Sequence, residues 1–124
     1  MADKPKATDL KLDATKTHVY NEINIGSPLI SCRYEPTGRF VFAGAQDFHV
    51  WRWDHAAGKK MQLKGADAWV RAIVFSSDGK TMLTGGYDGR LLWWPFEGDK
   101  PTRAIDAHHG WVKSVAVSPD GGLI

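Results

Sequence analysis

The sequence predicts an all-β fold made of short antiparallel strands. Its 124 residues suffice for one ordinary domain, and a content of 43% hydrophobic and 24% charged residues is typical of a globular protein. Thirteen glycines and six tryptophans are many for so short a chain. Glycine suits tight turns and tryptophan packs well on pleated surfaces, so both counts favour strands. An internal repeat is the third and strongest observation.

The repeat emerges when the stretch 70–79 is placed beside 112–121. The two stretches match in pattern at a shift of 42 residues, and the earlier stretch 29–38 matches 70–79 at a shift of 41. The shift of 41 also relates Asp88 to Asp47. Landmarks that recur at one period indicate an architecture built from stacked copies of one unit.

Within each period, alternating apolar residues are interrupted by turns, which predicts four strands per copy. The Asp-Gly pairs that begin at Asp78 and Asp88 are strong hairpin signals, because glycine tolerates a positive φ and aspartate bonds the turn backbone. A further extended segment is predicted near Thr17–Ile23. The predicted strands are 29–34, 40–43, 48–53 and 59–63 in the first copy, and 70–75, 81–84, 90–94 and 102–105 in the second.

A four-stranded meander of this size cannot bury both of its faces alone, so it must stack on copies of itself. Four antiparallel strands at a period of ~40–45 residues is the arrangement of a β-propeller. The chain resembles the WD-repeat family: the dipeptide that names the family occurs as Trp53-Asp54, and the stretch 111–121 resembles its first strand and turn. The resemblance covers roughly residues 19–124 and implies β-propeller blades of four-stranded antiparallel sheets in an incomplete ring.

The expected organisation is a disordered N-terminal tail over residues 1–18 and a partial WD-repeat β-propeller over residues 19–124. Lysines alternate with aspartates in the tail, which favours a solvated segment. Because the last copy stops where its second strand should begin, the chain is interpreted as a fragment of a longer protein. The repeats are expected at about 25–65, 66–107 and 108–124.

A first group of residues is expected to be structural. In the family that the chain resembles, a buried network joins a histidine before the first strand, a hydroxyl of the second strand, the aspartate of the second turn and the tryptophan of the third strand. No copy holds the complete set, because Ala43 replaces the hydroxyl in the first copy and Ala66 replaces the histidine in the second. The positions that match the family pattern are Asp47, Trp53, Thr84, Asp88, Trp94 and His108.

A second group comprises the candidates for partner binding. The resemblance implies that these residues stand at strand ends on the upper surface of the propeller. Exposed tryptophan and tyrosine beside polar groups suit hot spots of protein recognition. An equally weighted alternative is that Trp69 and Trp111 pack against the adjacent blade. The candidates are Gln46 in the first copy, Asp67, Trp69 and Tyr87 in the second, and His109 and Trp111 in the third.

The sequence predicts no catalytic site, no metal and no cofactor. Asp88 and His108 could be taken for part of a catalytic triad, but the aspartate recurs at the repeat period, which indicates a structural role. His108 and His109 would point to opposite faces of a strand, with no third ligand at a suitable spacing. The single cysteine, Cys32, suits a reducing compartment and is expected to be buried and unreactive.

The expected function is a non-catalytic scaffold that binds protein or peptide partners through a propeller face, beside the remaining blades of the same propeller. One alternative is a propeller domain of a larger enzyme or signalling protein whose catalytic part lies outside this chain. Another is a propeller whose central channel binds a small ligand or performs catalysis. The net charge of +2 is too small to favour nucleic acid or a membrane as partner, and no targeting segment is visible, so a cytoplasmic location is expected.

Overall fold

A computed structural model describes residues 13–124, which form two four-stranded antiparallel sheets. In each sheet, consecutive strands are neighbours, as the repeat pattern predicts. The prediction of an all-β fold with four-stranded antiparallel blades is confirmed, and the two described blades do not close into a ring. The first blade contains β1 (Leu29–Tyr34), β2 (Phe40–Ala45), β3 (Val50–Asp54) and β4 (Lys59–Leu63). The second contains β5 (Val70–Phe75), β6 (Thr81–Gly86), β7 (Arg90–Pro95) and β8 (Arg103–Asp106).

The strand bounds differ from the predicted ones mainly at turns. The second strand of each blade runs two residues further than predicted, because its last residue, Ala45 or Gly86, still pairs with the first strand of the blade. In contrast, β3 begins at Val50, because Phe48 adopts a positive φ of 69° that no regular strand contains.

Residues 13–28 contain no strand, and Thr17 has extended backbone angles (φ −63°, ψ 127°), so the extended stretch near Thr17–Ile23 stays a prediction. Among residues 13–124, no further strand lies beside this segment to pair with it. Within residues 13–28 the only regular structure is a short 3-10 helix, Ala14–Lys16, and the remainder of the predicted tail, residues 1–12, lies outside the described residues. Ile23 and Ile25 of this segment line an apolar cavity of about 220 Å³, together with Trp51 and Trp53 of β3.

The core lies between the two blades. Successive side chains of a strand point to opposite faces of its sheet. The side chains that point to the space between the blades form one buried cluster, which includes Phe42 and Val50 of the first blade and Met82 and Trp94 of the second. Phe42 also meets Phe75 edge-on, with ring centroids 5.3 Å apart. Burying each such side chain contributes roughly 1.5–3 kcal/mol to folding, which explains why one sheet needs the other.

A glycine in the second strand lets each copy approach the next one. A Cβ atom at Gly44 would lie 2.1 Å from the carbonyl oxygen of Val70, and one at Gly85 would lie 2.4 Å from a methyl carbon of Val112. At the contact between Gly44 and Val70, Ser31 Oγ also donates a hydrogen bond of 3.0 Å to Val70 O. Gly44 and Gly85 are 41 residues apart, and each lies against the valine, Val70 or Val112, at the start of the next copy.

The third copy continues this packing without forming a ladder. Val112 is buried against β6, but residues 112–117 are assigned to no strand, because no second strand of this copy lies beside them in the described residues. Its turn is nevertheless formed, with Ser118 Oγ 2.6 Å and Gly122 N 3.0 Å from Asp120 Oδ1.

The turn between the first and second strands of each blade contains a hydrogen bond from a hydroxyl to a carboxylate, and in the first blade the donor and acceptor positions are exchanged. In the second blade, Ser76 Oγ donates to Asp78 Oδ1 at 2.6 Å. In the first blade, Glu35 stands at the serine position and Thr37 at the aspartate position, and the threonine hydroxyl donates to the glutamate. Glu35 is buried and also accepts from the backbone N–H groups of Thr37, Arg39 and Phe40.

Cys32 is exposed, so the prediction that it is buried is wrong. It lies in β1 on the side of the first blade that faces away from the second, where no further sheet covers it within residues 13–124. None of the described helices is long and apolar enough to cross a membrane.

Candidate protein-binding face

Four connections meet at one edge of the two blades, which we call the upper edge. They are the β2–β3 turn, the β4–β5 connection, the β6–β7 turn and the segment after β8. The residues that the sequence singles out for partner binding all lie in these connections, because an antiparallel meander returns alternate connections to the same edge. They comprise Gln46, Asp67, Trp69, Tyr87, His109 and Trp111.

Trp69 links the two blades at this edge. Its indole Nε1 donates a hydrogen bond of 3.1 Å to the carbonyl oxygen of Gln46, in the β2–β3 turn of the first blade. Its own carbonyl oxygen accepts from Tyr87 N at 3.0 Å, which fixes the β6–β7 turn beside it. The rings of Trp69 and Tyr87 are 5.6 Å apart between centroids and inclined by 49°. Trp69 therefore packs between blades and also takes part in the surface.

Trp111 completes a row of three aromatic rings. Its neighbour Val112 donates from its backbone N to Gly86 O at 3.0 Å, which holds the segment after β8 against the second blade. The Trp111 ring stacks on Tyr87 with centroids 4.5 Å apart and an angle of 9° between planes. Trp111 is nevertheless 58% exposed. We call Trp69, Tyr87 and Trp111 the aromatic row.

Charged groups lie along one side of the aromatic row. Arg90 Nη1 is 3.1 Å from Asp67 Oδ2, and Arg90 Nε is 4.0 Å from Asp106 Oδ1. Asp88 is exposed and accepts a hydrogen bond of 3.1 Å from the backbone N of Arg90, within its own turn. His109 is exposed beside Trp111, and no hydrogen bond or aromatic contact of its ring occurs in the described residues.

Phe48 belongs to the same face and was missed by reasoning from the sequence. Its backbone has a φ of 69°, and its side chain is 46% exposed. At the shift of 41 it corresponds to Gly89, whose φ is 82°. The signal that could have revealed it is a bulky residue at a turn position where the next copy has glycine.

The structural residues of the two blades are only partly joined. In the second blade, Trp94 Nε1 donates to Thr84 Oγ1 at 2.9 Å. In the first blade, Trp53 Nε1 is buried and has no hydrogen-bond partner within residues 13–124. Asp47 instead accepts from His49 N at 3.0 Å and from Trp51 Nε1 at 3.1 Å.

Neither Asp88 nor His108 is joined to the Thr84–Trp94 pair. The carboxylate of Asp88 bonds its own turn, and His108 is exposed, with its backbone N donating to Gly89 O at 3.0 Å. Among residues 13–124, no group of three His, Cys, Asp or Glu side chains could hold a metal ion.

An ion pair marks the opposite, lower edge of the first blade. Arg39 Nη2 lies 2.8 Å from Asp54 Oδ2, and Asp54 Oδ1 accepts from the backbone N–H groups of Ala56 and Ala57 at 3.0 Å each. The hydrogen bond from the Arg39 guanidinium and the backbone donors lower the pKa of Asp54 from 3.8 to about 2. In the second blade, Lys80 and Pro95 occupy the two corresponding positions, so this ion pair is specific to the first blade.

Comparison with known families decides the classification. The family model "WD domain, G-beta repeat" matches residues 58–95 and 99–124, which is more than half of the chain. The chain belongs to the WD-repeat family. The first matched unit contains β4 to β7, so a WD repeat of this sequence begins with the outer strand of one blade and supplies the three inner strands of the next.

Several curated WD-repeat proteins are similar to this chain. The small ribosomal subunit protein RACK1y of Oryza sativa is 35% identical over 72 residues, which is 56% of this chain and 20% of the relative. The nuclear distribution protein nudF 2 of Aspergillus clavatus is 33% identical over 85 residues, or 67% and 20%. The human serine-threonine kinase receptor-associated protein is 31% identical over 65 residues, or 52% and 19%. This WD-repeat chain thus spans about a fifth of the length of these relatives.

Proposed function

We propose that this chain is part of a non-catalytic WD-repeat scaffold that binds protein or peptide partners through its upper edge. The aromatic row is the observation that carries the proposal. Large rings beside polar groups bury much apolar area on binding while they lose little conformational freedom, which is why tryptophan and tyrosine are enriched among hot spots. Trp111, at 58% exposure, keeps most of that area available to a partner.

The names of two relatives support an interaction role. One relative is named as a component of the small ribosomal subunit, and another is named as associated with a serine-threonine kinase receptor. Both names describe association with other macromolecules. By analogy, this WD-repeat chain works beside further blades of the same propeller, and its partners are proteins or peptides. A cytoplasmic location, and the exclusion of nucleic acid and membranes as partners, stay predictions from the sequence.

The proposal is tested by capture with matched surface variants of the full 124-residue chain. Trp111→Ala removes an exposed ring from the upper edge, and Tyr34→Ala removes a ring of similar exposure, 57%, from the lower end of β1. Tagged wild type and both variants are cross-linked in cell extract, and the captured proteins are quantified by mass spectrometry. We expect Trp111→Ala to lose proteins that Tyr34→Ala retains. Equal capture by wild type and Trp111→Ala would contradict the proposal.

A further inference from the structure

A depression of about 380 Å³ opens beside the aromatic row. Phe48, Trp69 and Tyr87 form its aromatic walls, and Asp67 and Asp88 line it as well. These residues come from the first blade and from two separate connections of the second, so the depression exists only when the blades are packed together. Three aromatic rings and two carboxylates therefore share one small space at the upper edge.

The backbone at Phe48 supports a binding role for this depression. A positive φ is unfavourable for a bulky residue, and such strained positions cluster at functional sites. Phe48 N donates to Ala45 O at 3.3 Å, so the turn holds the residue in this conformation. Because the ring remains 46% exposed, its burial in the core does not explain the conformation.

The depression has an excess of negative charge. The side chains of Asp67 and Asp106 are 78% and 93% exposed, and both face the single guanidinium of Arg90. Asp67 and Asp88 line the depression itself, and Asp88 accepts from the backbone N of Arg90 and not from its guanidinium. One guanidinium is thus shared by Asp67 and Asp106, and Asp88 adds a further negative charge, whereas the whole chain has a formal charge of +2. This local excess attracts a positively charged group of a partner.

We infer that the depression binds a lysine or arginine side chain of a partner peptide. Aromatic ring faces attract ammonium and guanidinium groups, and nearby carboxylates add charge-assisted hydrogen bonds. An apolar side chain would cover the carboxylates without pairing them, and an acidic side chain would be repelled. This inference rests on the proposed function and names the chemistry of the partner at that site.

The inference is tested with two short acetylated peptides, one of alternating glycine and lysine and one of alternating glycine and norleucine. Norleucine keeps the aliphatic stem of lysine and lacks the ammonium group. Binding is followed by NMR through the indole N–H signals of Trp69 and Trp111 in the full chain. We expect the lysine peptide to shift both signals, and its affinity to fall as salt is added.

Two variants with the same change of charge provide the control. Asp67→Asn removes a carboxylate from the depression, and Glu97→Gln removes one from the β7–β8 connection at the lower edge. In the described residues, Glu97 forms no side-chain hydrogen bond or salt bridge. We expect Asp67→Asn to weaken binding of the lysine peptide about fivefold and Glu97→Gln to leave it unchanged. Unchanged melting temperatures confirm that both variants are folded.

Three results would overturn the inference. Equal binding of the norleucine and lysine peptides would show an apolar site, and equal weakening by both variants would show only long-range attraction. Signals that neither peptide shifts would exclude the site for cationic side chains. None of these results affects the capture experiment with Trp111→Ala, so the inference can fail while the proposed scaffold function stands.

Discussion

Trp94 Nε1 donates a hydrogen bond of 2.9 Å to Thr84 Oγ1, and both residues are buried in the second blade. The corresponding residues of the first blade are Trp53 and Ala43. Since the side chain of alanine has no acceptor, Trp53 Nε1 is buried without a hydrogen-bond partner in the part of the chain that the structure describes. A buried donor that is left unsatisfied costs about 1–3 kcal/mol, so one repeat contains a bond that its neighbour lacks.

Restoring the acceptor should stabilise the first blade. Ala43 lines the apolar cavity of about 220 Å³ next to Trp53, which offers room for a larger side chain. We expect Ala43→Thr to exceed Ala43→Val in free energy of unfolding by about 1 kcal/mol, because the two side chains have the same shape and only threonine can accept the bond. Chemical denaturation of both variants measures the difference. Equal stabilities would show that Trp53 does not reach this position.

Removing the acceptor from the second blade should have the opposite effect. We expect Thr84→Val to lower the free energy of unfolding by about 1–3 kcal/mol, because it leaves the Trp94 indole buried and unsatisfied. In a Trp94→Phe background the same substitution should cost much less, since the donor is absent. A double-mutant cycle by denaturant unfolding gives this coupling. A cost that is the same in both backgrounds would mean that the hydrogen bond contributes nothing.

Exchanging the residues of the first turn should preserve its stability. Glu35→Ser combined with Thr37→Asp reproduces the Ser76–Asp78 arrangement of the second blade, with a hydroxyl that donates to the carboxylate two residues later. We expect the single change Glu35→Ala to cost about 1–3 kcal/mol, because buried Glu35 accepts several backbone N–H groups. The double exchange should recover most of this loss in thermal unfolding. A double variant as unstable as Glu35→Ala would contradict the equivalence of the two turns.

Acid should weaken the first blade through Asp54. The pKa of this carboxyl is about 2 in the folded chain and 3.8 without its partners, so folding favours the ionised form. Its contribution to stability is therefore fully present above pH of about 4 and is lost as the pH falls towards 2. We expect the difference in denaturation midpoint between wild type and Asp54→Asn to be largest above this window and to shrink within it. Asp99→Asn is the control, because its carboxylate forms no ion pair in residues 13–124.

The repeat period accounts for most of what the sequence predicted. Comparing residues at a shift of 41 or 42 located the strands and turns of both blades, because each copy must fold alike to stack on the next. The resemblance to the WD-repeat family implied that the residues of the aromatic row stand at strand ends of the upper edge. The stacking of their rings could not be predicted, because it depends on side-chain orientations that the spacing of residues in the sequence does not determine.

Contacts that depend on non-matching residues could not be predicted from the sequence. The exchange of Glu35 and Thr37 hides an equivalent turn, because the two positions differ in residue type while the hydrogen bonds agree. Phe48 departs from the glycine of the next copy, which the sequence shows, but the depression that its ring lines depends on how the neighbouring connections pack. Cys32 has the local pattern of a buried strand residue, but its exposure depends on whether a further sheet lies beside β1.

The affinity of a captured partner for Trp111→Ala, measured on samples whose melting temperature is also recorded, tests the central claim most directly. A hot-spot ring should contribute about 2 kcal/mol to binding, so we expect the Kd to rise at least tenfold. The melting temperature should change little, because Trp111 is 58% exposed and its ring stacks on Tyr87, which is itself at the surface of the upper edge. A variant that melts well below wild type and binds its partner with unchanged affinity would contradict the account, because Trp111 would then be a packing residue between blades.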